Sequence, residues 1–261
     1  MKTIVSGVTP GVEVEALIEG AGPDVVLLPS AGRGAEDFAE LQAALTAAGY
    51  RSLAVNYRGA GQSRGPEREL SLRDVVDDVA SVITQLCEGP VHVVGHALGN
   101  TVARATASYR PDLARSVTAM PCGGHSLAAH PVAPEVMAHF PRCHDHSLSR
   151  EERLISLGIV FFAPGNDASS WLEGWWPAAS WVGQAMQQSN PEDWQRGGDV
   201  PMLIIQPLDD AMLSREAGLE FARSLGPRAT YVEVAQCGHA ILPEQPQLIA
   251  EHLVQFLRTF P

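Results

Sequence analysis

Short apolar runs rich in β-branched residues alternate with amphipathic helical segments at both ends of the chain, and this alternation is its most constraining feature. The strand signals fall at residues 25–28, 53–55, 91–94, 116–120, 202–205 and 230–234, with an earlier strand over 12–18. Most of these runs are apolar on both faces, which is typical of strands in a parallel sheet covered by helices.

The helical segments show apolar residues every three or four positions. The clearest covers residues 72–86, with Ser71 as a predicted N-cap, and residues 35–48 and 248–257 behave similarly. Strands alternating with such helices predict an α/β fold, with a mostly parallel, doubly wound sheet.

The alternation breaks between residues 121 and 198, where proline and glycine separate short helical runs and no strand signal appears. We interpret residues 1–120 and 199–261 as one core domain and residues 121–198 as an inserted helical cap. All five tryptophans fall in the cap: Trp171, Trp175, Trp176, Trp181 and Trp194. Some of them are expected to join cap to core, and others to line an apolar substrate pocket.

Composition excludes several function classes. A formal net charge of -12 argues against binding nucleic acid or an anionic membrane, because such surfaces need clustered Lys and Arg. The four cysteines are far apart in sequence, which fits reduced thiols, and the N-terminus lacks the apolar core of a signal peptide. We therefore expect a cytoplasmic protein, a monomer or a homodimer, that acts on a small molecule.

A glycine-flanked turn follows the strand at 91–94. It reads Gly95-His96-Ala97-Leu98-Gly99 and leads into a helical segment. This context resembles the G-x-S-x-G nucleophile elbow of the α/β-hydrolase family, in which a strained turn holds a serine above the sheet. Here the central residue is Ala97, which has no lone pair or transferable proton, so no covalent acyl-enzyme can form on it.

Other family marks occur in the expected order along the chain. A glycine-rich turn follows the strand at 25–28, residues 57–63 resemble the family's R-G-x-G-x-S turn, and Gly238-His239 follows the last strand. The resemblance implies an α/β-hydrolase fold with His239 as the catalytic base. The family's acid follows the strand ending near residue 206, where both Asp209 and Asp210 stand. The spacing favours Asp210, which would accept from the imidazole N–H and fix the tautomer.

The resemblance also implies an oxyanion hole. Its donors would be the backbone N–H of Leu98 and one from the glycine-rich loop, either Ala31 or Gly32. Ser30 replaces part of the family's usual loop sequence. It is a candidate for a nucleophile that lies outside the elbow. The expected substrate contacts are Ser30, His96, Trp171, Trp175 and Trp176.

Two explanations of Ala97 stay open. The gene encodes alanine, or a serine was replaced to trap a substrate. The first is favoured by resemblance to a bacterial subgroup of α/β-hydrolases whose elbow reads G-H-A-x-G-N. Residues 161–167 (F-F-A-P-G-N-D) and 238–240 (G-H-A) also resemble this subgroup. Hydrolases similar to the aminoacrylate hydrolase of pyrimidine breakdown likewise have alanine at this position.

These features predict a cofactor-independent hydrolase of a small, partly apolar ester, lactone, thioester or enamine-type substrate. The reaction would use water activated by His239 and Asp210, or, if a serine was removed, the protein is an inactivated serine hydrolase. The alternatives are a non-hydrolytic lyase, isomerase or cyclase with His239 as base, and a catalytically silent ligand-binding protein. Residues 143–146 (Cys-His-Asp-His) fit no closed zinc pattern, and no nucleotide-binding motif appears, so we expect neither a metal nor a nucleotide cofactor.

Overall fold

A computed structural model of the protein describes residues 1–66, 70–123 and 129–260. Its centre is a mostly parallel sheet, to which the described residues contribute eight strands in the order β1-β2-β4-β3-β5-β6-β7-β8. Only the pairings β1–β2 and β2–β4 are antiparallel. The strands are β1 (Lys2–Ser6), β2 (Glu13–Gly20), β3 (Asp24–Leu28), β4 (Arg51–Val55), β5 (Val91–His96), β6 (Ala114–Met120), β7 (Met202–Pro207) and β8 (Ala229–Val234).

Helices cover both faces of this sheet. Helices α2 and α3 pack on one face and α1 and α9 on the other, each against buried aliphatic side chains of the strands. The α-helices of the described residues are α1 (Ala39–Ala47), α2 (Leu72–Leu86), α3 (Leu98–Tyr109), α4 (Pro134–His139), α5 (Arg150–Val160), α6 (Trp181–Gln187), α7 (Arg215–Leu225), α8 (Ile241–Glu244) and α9 (Pro246–Leu257). The predicted α/β-hydrolase fold is confirmed.

Most of the predicted elements are present within a few residues of their expected bounds. Ser71 caps α2 as predicted, in a reciprocal capping box with Asp74. The predicted helix over 35–48 differs at its start, because Ala35–Phe38 forms a 3₁₀ turn before α1 begins. Strand β1 was not predicted, because it is an edge strand of five mostly exposed residues without an apolar run.

The segment between β6 and β7 contains α4, α5, α6 and several single 3₁₀ turns, and no strand is found in its described part, residues 121–123 and 129–201. Its own apolar cluster includes Leu157, Phe161 and Trp171, and also Ala240 from the loop after β8. The segment therefore lies over the carboxyl ends of the late strands. Among the described residues, no helix is both long enough and apolar enough to cross a lipid bilayer.

Candidate active site

One residue, Ala97, joins the end of β5 to the start of α3. Its backbone has φ 48° and ψ -113°, a conformation that costs a non-glycine residue on the order of 1–3 kcal/mol. Hydrogen bonds hold this turn in place. The Ala97 N–H donates to the Met120 carbonyl at 2.7 Å, and the side-chain amide of Asn100 donates to the Ala97 carbonyl at 2.6 Å. The strained elbow is thus built in full around a methyl group.

Both glycines of the elbow are required by close backbone packing. A Cβ on Gly95 would lie 2.1 Å from the carbonyl oxygen of Gly99, and a Cβ on Gly99 would lie 2.0 Å from that of Leu28. Helix α3 can approach β3 and β5 this closely only because neither position has a side chain. The G-x-x-x-G spacing therefore follows from packing and does not depend on the identity of residue 97.

The loop after β8 brings His239 to the turn after β7. Nδ1 of His239 donates to the carboxylate of Asp210, at 3.0 Å from Oδ2 and 3.1 Å from Oδ1. The Asp210 side chain is fully buried, and its Oδ1 also accepts from the backbone N–H groups of Met212 and Leu213. Asp209 is exposed. Of the two candidate acids, Asp210 is the one that contacts the histidine, and its bond leaves the other ring nitrogen, Nε2, with a free lone pair.

His96 links the elbow to the His239 loop, which we define as residues 235–240. Its Nε2 donates to the carbonyl of His239 at 2.8 Å, and the two rings are 6.0 Å apart at their centroids. Burial lowers the pKa of His96 to about 3, helped by the nearby His239 ring, so His96 is neutral at physiological pH. His239 therefore lies beside the residue that precedes Ala97, with no fixed positive charge from His96.

The glycine-rich loop after β3 begins with a tight turn. The Arg33 N–H donates to the carbonyl of Ser30 at 3.1 Å, and Gly32 has φ +67°, which is typical of a type II turn with Ala31 and Gly32 at its centre. Leu98 is the first residue of α3, where backbone N–H groups lack intrahelical acceptors. Because β3 pairs directly with β5, the turn and this helix N-terminus lie at the same edge of the sheet.

Comparison with known proteins gives the same assignment as this geometry. Residues 25–252 match the Alpha/beta hydrolase family. The chain belongs to the alpha/beta hydrolase family.

This hydrolase is similar in sequence or in structure to several known proteins. It is 25% identical over 252 residues to a Mycobacterium tuberculosis protein named as a non-heme bromoperoxidase, BpoC, covering 91% of this chain and 94% of that protein. Over 71 residues, 27% of this chain and 26% of the relative, it is 39% identical to a 2-(acetamidomethylene)succinate hydrolase of Mesorhizobium japonicum. The solved structure of an esterase from Exiguobacterium antarcticum superposes with a TM-score of 0.81 at 19% identity, covering 99% of this chain and 100% of that one. The named relatives thus include a hydrolase and a non-heme bromoperoxidase, and the likeness to the esterase is one of fold.

Four aromatic side chains from the segment between β6 and β7 of this hydrolase pack on one another, and two of them contact His96 or His239. We call them the aromatic group: Phe161, Phe162, Trp171 and Trp175. The Phe161 ring is 5.8 Å from that of His239, and the Trp171 ring is 5.9 Å from that of His96. The group forms an apolar wall over the dyad.

The five tryptophans have different surroundings: two belong to the aromatic group, and three contact the core or the loop after β3. The buried guanidinium of Arg33 lies 4.7 Å from the Trp171 ring centre and 4.9 Å from that of Trp175, which fixes both rings. Trp176 lies apart from the aromatic group, packs against the core on the α2 side and donates its backbone N–H to Gly32. Trp181 donates its indole N–H to the Arg58 carbonyl, and the ring of Trp194 packs on Arg104 of α3, so both join this segment to the core.

The Cys143 to His146 cluster does not converge. The thiol of Cys143 donates to the His139 carbonyl, the ring of His144 packs on Trp175, and Asp145 accepts from Ser147. Across the described ranges, no group of three or more His, Cys, Asp and Glu side chains is arranged to hold a metal ion.

Two surface cavities of this hydrolase lie away from the dyad. One of about 360 Å³ lies at the opposite end of the strands, next to His92 and Arg115, and one of about 280 Å³ lies between α2 and α6. Neither is lined by His239, Asp210 or Ala97. The candidate site is therefore defined by its converging side chains.

Sequence reasoning missed two residues that shape the site. Asn100 donates to both the Ala97 and Pro121 carbonyls, and the N of the G-H-A-L-G-N string was the available signal. Arg33 forms a bidentate ion pair with Asp37 and also donates to the Glu173 carbonyl. The i, i+4 spacing of Arg33 and Asp37 was a signal for the pair, but nothing in the sequence pointed to the tryptophans on which Arg33 packs.

Proposed function

We propose that this alpha/beta hydrolase cleaves a small, partly apolar carbonyl substrate with a water molecule activated by His239, and that no covalent intermediate forms on the chain. The proposal rests on one observation. The imidazole of His239 is hydrogen-bonded to a fully buried carboxylate beside an elbow that presents only a methyl group.

The chemistry follows from the tautomer. With its Nδ1–H given to Asp210, His239 has a lone pair on Nε2 that can take a proton from water as the oxygen attacks the substrate carbonyl. The oxyanion would accept from the N–H of Leu98 and from one of Ala31 or Gly32. When the tetrahedral intermediate collapses, the protonated His239 gives its proton to the leaving group. The methyl group of Ala97 leaves the space of a hydroxyl free for the water.

Magnitudes limit the substrate class. In serine hydrolases, oxyanion binding and positioning without an intact triad still give roughly 10³ to 10⁴-fold acceleration over water. That suffices for activated bonds, so we propose an ester, lactone, thioester or enamine-type substrate. The aromatic group supports a partly apolar substrate, for which Trp171 and Trp175 are the proposed contacts. Ser30 and Trp176 are further proposed contacts at the loop after β3, where the Trp176 N–H donates to the Gly32 carbonyl. His96 would support Trp171 through the edge contact of their rings.

We further propose that the protein acts with alanine at position 97, as in the subgroup with a G-H-A-x-G-N elbow. Asn100 supports this interpretation, because it completes the G-H-A-x-G-N string and its side-chain amide donates to the Ala97 carbonyl. If Ala97 instead replaces a catalytic serine, Ala97→Ser should restore covalent labelling by serine-directed phosphonates and raise ester hydrolysis by orders of magnitude.

The test is a panel of activated esters, lactones and thioesters with the wild-type protein and His239→Gln. His252→Gln, on α9, serves as the matched histidine control. We expect hydrolysis by the wild type and by His252→Gln, and a loss of about 10²-fold or more in His239→Gln, the usual range for removal of a general base. Equal rates for the wild type and His239→Gln would refute the role of the dyad.

A second candidate function is proton transfer without hydrolysis, as in a lyase, isomerase or cyclase. The observation that favours it is again Ala97, because a site without a nucleophile cannot divert a bound carbonyl compound into an acyl-enzyme. Incubation of carbon acids in heavy water distinguishes the two. Deuterium uptake at carbon that depends on His239, without ester hydrolysis, would favour this candidate. A catalytically silent binding protein is a weaker third, since it has no need for a paired His239 and Asp210.

A further inference from the structure

A single carboxylate holds the His239 loop against the segment between β6 and β7. Oε1 of Glu244 accepts from the Ala163 backbone N–H and from the side-chain amide of Asn166, both at 2.7 Å. Oε2 accepts from the backbone N–H of Gly238, also at 2.7 Å. Gly238 immediately precedes His239, so Glu244 is hydrogen-bonded to the backbone next to the imidazole.

The two backbones joined by Glu244 are in direct contact. The Ala240 N–H donates to the carbonyl of Phe161 at 2.8 Å, and a Cβ on Gly238 would lie 2.6 Å from that same oxygen. Gln236, at the start of the loop, has φ 53°, a conformation that side-chain-bearing residues rarely adopt. Asn166 also donates to the Gln236 carbonyl. The loop geometry is therefore set by its contacts with residues 161–166.

Residues 161–166 also begin the aromatic wall. The ring of Phe161 lies 5.8 Å from His239 and 5.1 Å from Trp171. A shift of this segment would thus move the imidazole and the wall together.

We propose that Glu244 is a positioning residue that fixes the position of the His239 imidazole relative to the aromatic group. This inference rests on the proposed function only in assigning His239 as the catalytic base. Glu244 acts through Gly238 and Phe161 and does not touch the reacting atoms. Residues 243–246 (P-E-Q-P), which contain Glu244, and residues 161–167 (F-F-A-P-G-N-D) are thus held together by the hydrogen bonds of one carboxylate.

The contact of Glu244 with Ala163, Asn166 and Gly238 needs an ionised carboxylate. All three partners are N–H donors, and a carboxylate can accept from all of them, whereas an amide has one oxygen and two N–H groups of its own. Burial raises the pKa of Glu244, and the hydrogen bonds from Ala163, Asn166 and Gly238 oppose that rise. Glu244→Gln would place an amide N–H against at least one donor and separate the loop from the segment.

The experiment compares Glu244→Gln with Glu251→Gln, an exposed glutamate on α9 that serves as control. The first readout is the proton NMR signal of the hydrogen-bonded Nδ1–H of His239, identified by its loss in His239→Gln. The second is kcat and KM on an activated ester. We expect Glu244→Gln to broaden or lose the Nδ1–H signal and to lower kcat about 10 to 100-fold, because a displacement of about 1 Å can cost 10²-fold. Glu251→Gln should change neither readout.

A second variant keeps the test decisive if Glu244→Gln does not fold. Asn166→Ala removes one donor outside the His239 loop and should shift the Nδ1–H signal and lower kcat in the same direction by a smaller factor, about 3 to 10-fold. An unchanged signal with kcat within twofold in the folded variant would overturn the inference, even if its thermal stability falls. The NMR readout needs no substrate, so it still decides the inference if the wild-type protein fails to hydrolyse the panel.

Discussion

His96 makes the stability of the fold sensitive to mild acid. Its imidazole is fully buried on β5, and burial lowers its pKa from 6.5 to about 3. In the unfolded chain the same group has its ordinary pKa. Between about pH 6.5 and pH 3 the unfolded state therefore binds a proton that the folded state does not, so stability falls as the pH is lowered through this window.

The size of the effect follows from the two pKa values. At pH 5 the unfolded imidazole is almost fully protonated and the folded one is still neutral. Linkage over that difference gives about 2 kcal/mol of stability lost by His96 between pH 7 and pH 5. Against a typical stability of about 5–15 kcal/mol, a loss of this size is readily measured.

The assay is urea unfolding at pH 7 and pH 5 for the wild type and for His96→Gln. The glutamine amide can still donate to the His239 carbonyl, but it does not titrate. The variant is expected to be less stable at pH 7, yet its loss between pH 7 and pH 5 should be smaller than the wild-type loss by about 2 kcal/mol. His252→Gln should retain most of the wild-type pH dependence. Equal pH dependence in His96→Gln and the wild type would refute the claim that His96 is buried in its neutral form.

Two further substitutions test the elbow and the dyad. Ala97→Gly should leave the free energy of unfolding unchanged or raise it by up to about 1 kcal/mol, because glycine accepts a φ of 48°, whereas Ala43→Gly on the exposed side of α1 should lower it by about 1 kcal/mol. Thermal melts compare the two, and similar losses would show that Ala97 is unstrained. Asp210→Asn should lower kcat on an activated ester about 10² to 10⁴-fold, because the amide no longer holds the His239 tautomer. Asp209→Asn is the control in the same assay, and a comparable loss there would contradict the assignment of Asp210.

Local patterns were enough to predict the core of the fold. The buried parallel strands are apolar on both faces, and α2 has both a periodic apolar stripe and a capping serine, so each is recognisable within its own residues. Edge strand β1 lacked such a signal because four of its five residues are at least partly exposed. The elbow was recognisable because its glycines are imposed by backbone contact, and that contact persists whichever side chain stands at position 97.

The arrangement of the segment between β6 and β7 could not be predicted from local patterns. Its helices are short and separated by proline and glycine, so the position of each ring depends on packing between residues distant in sequence. Trp171 contacts His96, whereas Trp176, five residues later, packs against the core. The role of Glu244 was likewise hidden, because its partners Ala163 and Asn166 lie about 80 residues earlier in the chain.

In the proposed reaction, water attacks the substrate directly while His239 takes its proton. The most direct test follows a single turnover of an activated ester in water labelled with heavy oxygen, with mass spectrometry of both the product and the intact protein. We expect one heavy oxygen in the acid product and an unmodified protein mass at every time point. A transient acyl adduct on the chain, or an acid product without the label, would contradict this mechanism.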